Sequence, residues 1–148
     1  MRAKHVLEIA AVVAMTGCAG TPGPGDPGYA YNVGGVYGGR LMVEGQPFDA
    51  TLDLRTARGG RVRGSFDVRA PLEIAGRVDG SIVDDLLRVT LTYERPTRSD
   101  ATDGCESRVE GILSVSAGGD IIDGPVTITD CGDGLAGRMS FRRAARNE

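Results

Sequence analysis

The side chains that most often carry enzyme chemistry are scarce in this chain of 148 residues. Its one histidine, His5, and its only lysine, Lys4, both lie in a short cationic stretch at the N-terminus. If that stretch is removed or bound to a membrane, serine and histidine catalysis, Schiff-base chemistry and histidine-bound zinc lack the residues they need. We therefore expect no catalytic residues and a protein that is not an enzyme.

Acidic residues are the remaining candidates for chemistry, and they cluster between the predicted strands. The clusters include Asp84 with Asp85, Asp120 with Asp123, and Asp130 with Asp133. Carboxylate oxygens can bind calcium, and two carboxylates across a cleft can hydrolyse a glycosidic bond. None of the clusters has the full spacing of a calcium loop, and aspartate is common in tight turns. We interpret them as turn residues and expect neither a metal nor another cofactor.

A cysteine near the N-terminus suggests where the protein is located. Cys18 follows the apolar run of residues 9–15, which is too short to span a bilayer. The sequence Met15-Thr16-Gly17-Cys18 resembles the lipobox of bacterial lipoproteins, with Met where that family usually has Leu. The resemblance implies that residues 1–17 are a signal peptide and that Cys18 carries a lipid anchor. It also implies a domain in the periplasm or at the cell exterior, attached to a membrane of the cell envelope. An ordinary secretory signal is the alternative.

The other two cysteines, Cys105 and Cys131, form an even pair in a compartment that permits disulfides. They flank one predicted hairpin, and we predict a disulfide between them. The apolar residues of both strands face the same side of the sheet only if the residue numbers of each pair add up to an odd number, as for Leu113 opposite Gly124. The cysteines would then be diagonal neighbours unless the strand ends adjust. A redox-active or metal-binding pair is the alternative, but the close CxxC spacing is absent.

The body of the chain is predicted to be all-β. From residue 36 onward apolar residues alternate with polar ones, and Gly, Pro and Asp separate the alternating segments. Residues 34–143 therefore form one domain of about eight antiparallel strands in an up-and-down meander. Residues 18–33, rich in Pro and Gly, are predicted to be a flexible tether after the lipidated cysteine, and residues 144–148 a C-terminal tail.

Five of these strands carry a glycine in the middle of the apolar face. The five are Gly64, Gly76, Gly111, Gly124 and Gly137. A glycine in a strand loses packing area and costs backbone entropy, so their common face requires a geometric reason. Tight curvature of the sheet, with the smallest side chains where opposite walls come closest, supplies one. We predict that the meander closes into a small barrel, with a strongly bent β-sandwich as the alternative.

The predicted outer face is charged, which excludes a barrel that spans a membrane, since that would need an apolar outer band. In strand number and alternation the domain is similar to the calycin barrels, which include lipocalins and avidins. This resemblance is architectural and implies no site residues. The formal net charge of −3 argues against nucleic-acid binding.

The sequence leaves two non-enzymatic functions open. We favour binding of a small apolar ligand or an envelope component in the barrel, because ligand pockets are mostly apolar with a few polar groups. Tyr37 and Tyr93 are predicted to point inwards and are the candidate ligand contacts, although tyrosines at a wet rim are the alternative. The other function is a protein-interaction module, an inhibitor or assembly accessory, that uses residues 95–104 or a sheet edge.

Overall fold

The computed structural model describes residues 20–95 and 105–145, and every regular element in this part of the chain is a β-strand. Alternating sequences form strands because successive side chains point to opposite faces of a sheet. Within these ranges no helix is long and apolar enough to cross a membrane. The strands are β1 (Gly35–Val43), β2 (Gln46–Thr56), β3 (Arg61–Val68), β4 (Ile74–Val83), β5 (Leu86–Arg95), β6 (Cys105–Val115), β7 (Ile121–Asp130) and β8 (Asp133–Arg143).

Each strand pairs antiparallel with the next one in the chain, and β8 pairs with β1. The closing pair runs from Tyr37 opposite Arg143 to Val43 opposite Gly137. The predicted up-and-down barrel of eight strands is therefore confirmed, and the bent sandwich is not formed. Because the barrel is closed, its described strands offer no free sheet edge to a partner.

The core lies inside the barrel and is built from the side chains that were predicted to face inwards. Leu52, Val62 and Val109 are each at most 2% exposed. The register of β6 and β7 is also the predicted one, with Val115 opposite Ile122, so both inner faces lie on the same side. Charged residues occupy the outward positions of the same strands, as the burial pattern of β3 shows.

Paired positions follow a spiral around the barrel. The path starts at Val43 and moves to the paired residue in each neighbouring strand in turn, until it reaches Thr56 in β2. The hydroxyl of Thr56 accepts a hydrogen bond from the amide of Val33. The path therefore ends at Val33, ten residues before Val43, where it began. This offset corresponds to strands tilted by about 40° from the barrel axis. Valine and glycine alternate along most of this path, which runs through Val43, Gly137, Val126, Gly111, Val89, Gly80, Val62, Thr56 and Val33.

The inner-face glycines stand where the backbone of the neighbouring strand comes close. A Cβ at Gly111 would lie 2.6 Å from the carbonyl oxygen of Pro125, and one at Gly76 would lie 2.5 Å from the ring of Phe66. The predicted link to tight curvature is supported, but the predicted cause was wrong in one respect. The close atoms belong to adjacent strands, not to the opposite wall. Gly39 and Gly80 share this environment, although they are not among the five glycines predicted from the sequence.

Residues 20–34, which we call the N-terminal segment, cover one end of the barrel. Asn32 organises the segment, because its side-chain oxygen accepts from the amide of Gly25 and its side-chain nitrogen donates to the carbonyl of Asp26, both at 2.8 Å. Val33 is buried against the core, and Tyr29 and Tyr31 pack against it. We call this end of the barrel the N-terminal end.

The N-terminal segment also contacts three hairpin turns. Pro24 lies against Gly60 in the β2–β3 turn, and the Tyr29 hydroxyl donates to the carbonyl of Asp84 in the β4–β5 turn at 3.0 Å. The amide of Gly118 in the β6–β7 turn donates to the carbonyl of Ala30 at 2.7 Å. Over residues 20–33 the structure therefore differs from the predicted flexible tether, because these long-range contacts hold the Pro- and Gly-rich chain in place.

Candidate functional site

An apolar cavity of about 190 Å³ lies inside the barrel at the opposite end, which we call the cavity end. The β1–β2, β3–β4 and β7–β8 turns lie at this end. Val43, Phe48 and Leu72 are partly exposed there, so the cavity reaches the surface. Its lining consists of Leu41, Val43, Phe48, Phe66, Val68, Leu72, Ile74, Tyr93, Val109, Ile128, Asp130 and Leu135.

The half of the barrel next to the N-terminal segment is filled by large side chains. Leu54, Leu87 and Ile122 are at most 1% exposed and do not line the cavity. Met139 and Phe141 are also buried and do not line the cavity. The interior is therefore neither filled throughout nor open throughout, and the free space is confined to the cavity end.

A small polar group interrupts the apolar wall on one side of the cavity. The hydroxyl of Ser107, which is 1% exposed, donates to Asp130 Oδ1 at 3.1 Å. The same hydroxyl accepts from the amide of Cys131 at 3.1 Å. Alternation could have identified both residues, because Ser107 shares its face with Val109 and Asp130 shares its face with Ile128. The sequence nevertheless predicts Asp130 to be a turn residue, and Ser107 is not among the predicted site residues.

Tyr93 lies beside this group, as expected of a residue that faces into the barrel. Its hydroxyl is 3.5 Å from Asp130 Oδ1, and its ring packs edge to face against Phe66 with centroids 6.0 Å apart. Of the two tyrosines proposed from the sequence as ligand contacts, Tyr93 is thus the one that lines the cavity.

Tyr37 lies at the N-terminal end, so the structure does not bring the two tyrosines together. Its side chain is fully buried, and its hydroxyl donates to the carbonyl of Gly119 at 2.6 Å. The same oxygen accepts from the amide of Gly34 at 3.2 Å and from Arg143 at 3.0 Å. The prediction that Tyr37 contacts a ligand, or has its hydroxyl in water at the rim, is therefore corrected. Its hydroxyl instead joins the N-terminal segment to the β6–β7 turn and to β8.

The three cysteines differ in how much of them the structure describes. Cys18 and the side chain of Cys105 lie outside the described residues, as does the loop of residues 96–104. Cys131 is in the two-residue β7–β8 turn at the cavity end, with a φ of 51°. The register of β6 and β7, which pairs Arg108 with Thr129, would place residue 131 opposite residue 106 if it continued. This is the diagonal relation to Cys105 that the sequence predicted, and the disulfide remains a prediction.

Two of the acidic residues that were interpreted as turn residues, Asp120 and Asp123, pair with arginines near the surface. Asp123 accepts from Arg138 and from Ser140, each at 2.8 Å. The hydrogen bond from Arg138 lowers the pKa of Asp123, and the bond from Ser140 acts in the same direction. Asp120 pairs with Arg143 at 2.8 Å. Across residues 20–95 and 105–145, no cluster of three or more acidic, cysteine or histidine side chains could hold a metal ion.

Comparison with known proteins yields no match for this chain among protein-family models, curated proteins or solved structures.

Proposed function

We propose that this protein is a non-enzymatic lipoprotein of the bacterial cell envelope whose barrel binds a small apolar ligand in the cavity. The cavity itself carries the proposal, because it is an apolar space of about 190 Å³ in a barrel that is otherwise filled. Empty apolar space lowers stability, since the lining atoms lack contacts on one side. A ligand of matching size restores these contacts.

The volume of the cavity limits the size of the ligand. Pockets for drug-sized molecules span about 300–1,000 Å³, whereas an apolar cavity of about 150 Å³ is enough for benzene. A cavity of about 190 Å³ fits a ligand slightly larger than benzene, or the end of a longer aliphatic chain. In the second case the rest of the chain would leave the barrel past Phe48 and Leu72.

The polar group formed by Tyr93, Ser107 and Asp130 gives the cavity one side that can exchange hydrogen bonds. Apolar pockets commonly use a few such groups to orient a ligand. We therefore propose a ligand with an apolar body and one hydroxyl or similar polar end. The hydroxyl of Tyr93 and the carboxylate of Asp130 are the contacts for that end, because both residues line the cavity.

The cellular location in this proposal is inferred from the N-terminal sequence. The resemblance of residues 15–18 to a lipobox supports a lipid anchor on Cys18 and attachment to a membrane of the envelope. The proposal includes no nucleic-acid partner, in keeping with the negative formal charge. Replacement of Cys18 by serine should abolish membrane attachment. Release of the unmodified protein from membranes by salt alone would contradict the anchor.

We also propose a disulfide between Cys105 and Cys131, in keeping with an oxidising compartment. The placement of Cys131 supports it, since its backbone amide bonds to Ser107, only two residues from Cys105 in β6. The intact mass of the protein should increase by two hydrogens on reduction. An unchanged mass would contradict the bond.

Thermal unfolding in the presence of 1-hexanol tests ligand binding. The alcohol has an aliphatic chain and one hydroxyl. Binding to the folded state should raise the melting temperature, and above the dissociation constant the rise should follow the logarithm of the alcohol concentration. Val68→Phe fills part of the cavity, because Val68 is buried in its wall, and should remove the effect.

Val36→Phe is the matched control, since Val36 lies on the outer face. It should leave the effect of 1-hexanol intact. If Val68→Phe does not fold, Leu72→Trp at the mouth replaces it. A melting temperature that does not rise, or that rises equally in the wall variant, would contradict ligand binding at this cavity.

A further inference from the structure

We propose that the N-terminal end of the barrel is in direct contact with the lipid bilayer, so that the mouth of the cavity faces away from the membrane. This inference rests on the lipid anchor of the proposed function. Beyond the anchor, it states which surface of the barrel contacts the lipid and how the cavity is oriented relative to the membrane.

The first support is the distribution of exposed apolar side chains, which are concentrated at the N-terminal end. Val36 is near the start of β1, Val83 ends β4, and Leu86 and Ile121 begin β5 and β7. Ile112 lies in the half of β6 nearest to the same end. These five are the large apolar residues that the described part of the chain leaves exposed, from 38% at Ile121 to 62% at Val83.

Several of these side chains are neighbours on the outer surface. Val83 pairs directly with Leu86 in the β4–β5 hairpin, and Leu86 lies opposite Ser114, two residues from Ile112. Ile121 lies opposite Arg142 of β8. Val36 flanks β8 on the other side, since its carbonyl accepts from the amide of Ala144. The exposed apolar residues thus follow the rim of this end from β4 round to β1.

Two partly exposed tyrosines lie at the same end. Tyr29 and Tyr31 of the N-terminal segment pack edge to face, with ring centroids 5.9 Å apart. Tyrosine has an apolar ring and a polar tip, and for this reason it is enriched where proteins meet the boundary between lipid and water. A rim of aliphatic residues together with tyrosines fits a bilayer surface better than it fits water.

The N-terminal segment starts at this end of the barrel, two residues after Cys18, the proposed site of the lipid anchor. The N-terminal segment is folded on itself from Gly23 onwards, where the amide of Gly23 donates to Asp26. Only a few residues separate Cys18 from Pro24, which contacts the β2–β3 turn. Even fully extended, such a stretch spans about 20 Å. A lipid on Cys18 therefore holds the N-terminal end near the bilayer, which a long flexible tether would not do.

The charges at this end are of both signs. Asp84 and Asp85 stand at the tip of the β4–β5 turn, and Arg58 of the β2–β3 turn lies 3.9 Å from Asp26. Arg143 is paired with Asp120. Because these charges are not predominantly positive, attraction to anionic lipid cannot be the main contribution. The contact depends on apolar surface and on the anchor, so it should be insensitive to salt and form on zwitterionic lipid.

Tryptophan fluorescence offers a direct test, because the natural chain contains no tryptophan. Val83→Trp and Ala75→Trp place a probe at outward positions of the same strand, β4. Val83 lies at the N-terminal end of the barrel, and Ala75 lies at the cavity end. Each full-length, lipidated variant is incorporated into vesicles of phosphatidylethanolamine and brominated phosphatidylcholine. Flotation of the vesicles in the same samples measures anchoring independently.

The expected result is a loss of fluorescence for Val83→Trp, with a shift to shorter wavelength, and neither change for Ala75→Trp. Protein that floats with the vesicles but shows no quenching of Val83→Trp overturns the contact while the anchor stands. Equal quenching of the two probes overturns the proposed orientation. Protein that does not float overturns the anchor, and the contact with it, while binding of 1-hexanol in solution remains a separate result.

Discussion

Glycine on the inner face determines how tightly the sheet of this protein can coil. At Gly111 the backbone of the neighbouring strand occupies the space that a side chain would need. A pattern of glycine among alternating apolar residues therefore reports close approach of adjacent strands. The space around an added Cβ distinguishes inner glycines from outer ones, such as Gly38 on β1, where a Cβ would meet nothing within 4 Å.

Replacement of Gly111 by valine should lower the free energy of unfolding by about 1–3 kcal/mol, because the added methyl groups crowd Pro125 and Val126. Urea unfolding measures the change. Gly38→Val is the matched control in a strand, and it should be neutral or slightly stabilising because valine favours strands. Similar losses for the two variants would contradict the assignment of Gly111 to the crowded inner face.

The pair formed by Asp123 and Arg138 should give stability a dependence on pH in the acid range. The pKa of Asp123 is lowered from its ordinary value near 3.8 in the folded protein. The ionised carboxylate therefore stabilises the fold at pH values above that ordinary value, and the gain is lost as the pH falls through the lowered folded value.

Arg138→Gln should raise the pKa of Asp123 towards its ordinary value, since it removes the hydrogen bond that lowers it most. Titration of the Asp123 carboxyl by NMR measures this shift. Arg108→Gln, which removes the partner of Glu110, is the control and should leave the titration of Asp123 unchanged. An unchanged pKa in Arg138→Gln would show that Arg138 does not cause the shift.

The strands and the N-terminal segment differ in how far the sequence predicts them. Strands were predictable because alternation is local, and the odd-sum register of β6 and β7 followed from keeping Gly111 and Val126 on one inner face. The order in the N-terminal segment was not predictable, because Asn32 acts through backbone groups at Gly25 and Asp26 and the segment contacts turns far along the chain. Composition alone made these residues look like a linker.

Asn32→Ala should loosen the N-terminal segment while the barrel stays folded, because two hydrogen bonds within the segment are lost. Hydrogen exchange should become faster at the amide of Gly118, which donates to Ala30. The amide of Arg69, which donates to the carbonyl of Asp49 at the cavity end, serves as an internal reference for the barrel. Unchanged exchange at Gly118 would contradict the role of Asn32.

The barrel as a unit has two unlike ends, one covered by the N-terminal segment and one containing the cavity. Closure of the sheet could be predicted from the repeated inner glycines. The cavity could not, because its volume depends on how side chains from all eight strands share the interior. Ser107 and Asp130 illustrate the limit, since their faces follow from alternation but their meeting beside Tyr93 requires the three-dimensional register.

The most direct test of the proposed function is titration with 1-hexanol followed by NMR of the isoleucine methyl groups. Ile74 and Ile128 line the cavity, whereas Ile82 and Ile122 are buried in the filled half of the barrel and serve as internal controls. Saturable shifts at Ile74 and Ile128, with little change at Ile82 and Ile122, are the expected result. The absence of shifts, or equal shifts at all four residues, would contradict a ligand-binding cavity at this end of the barrel.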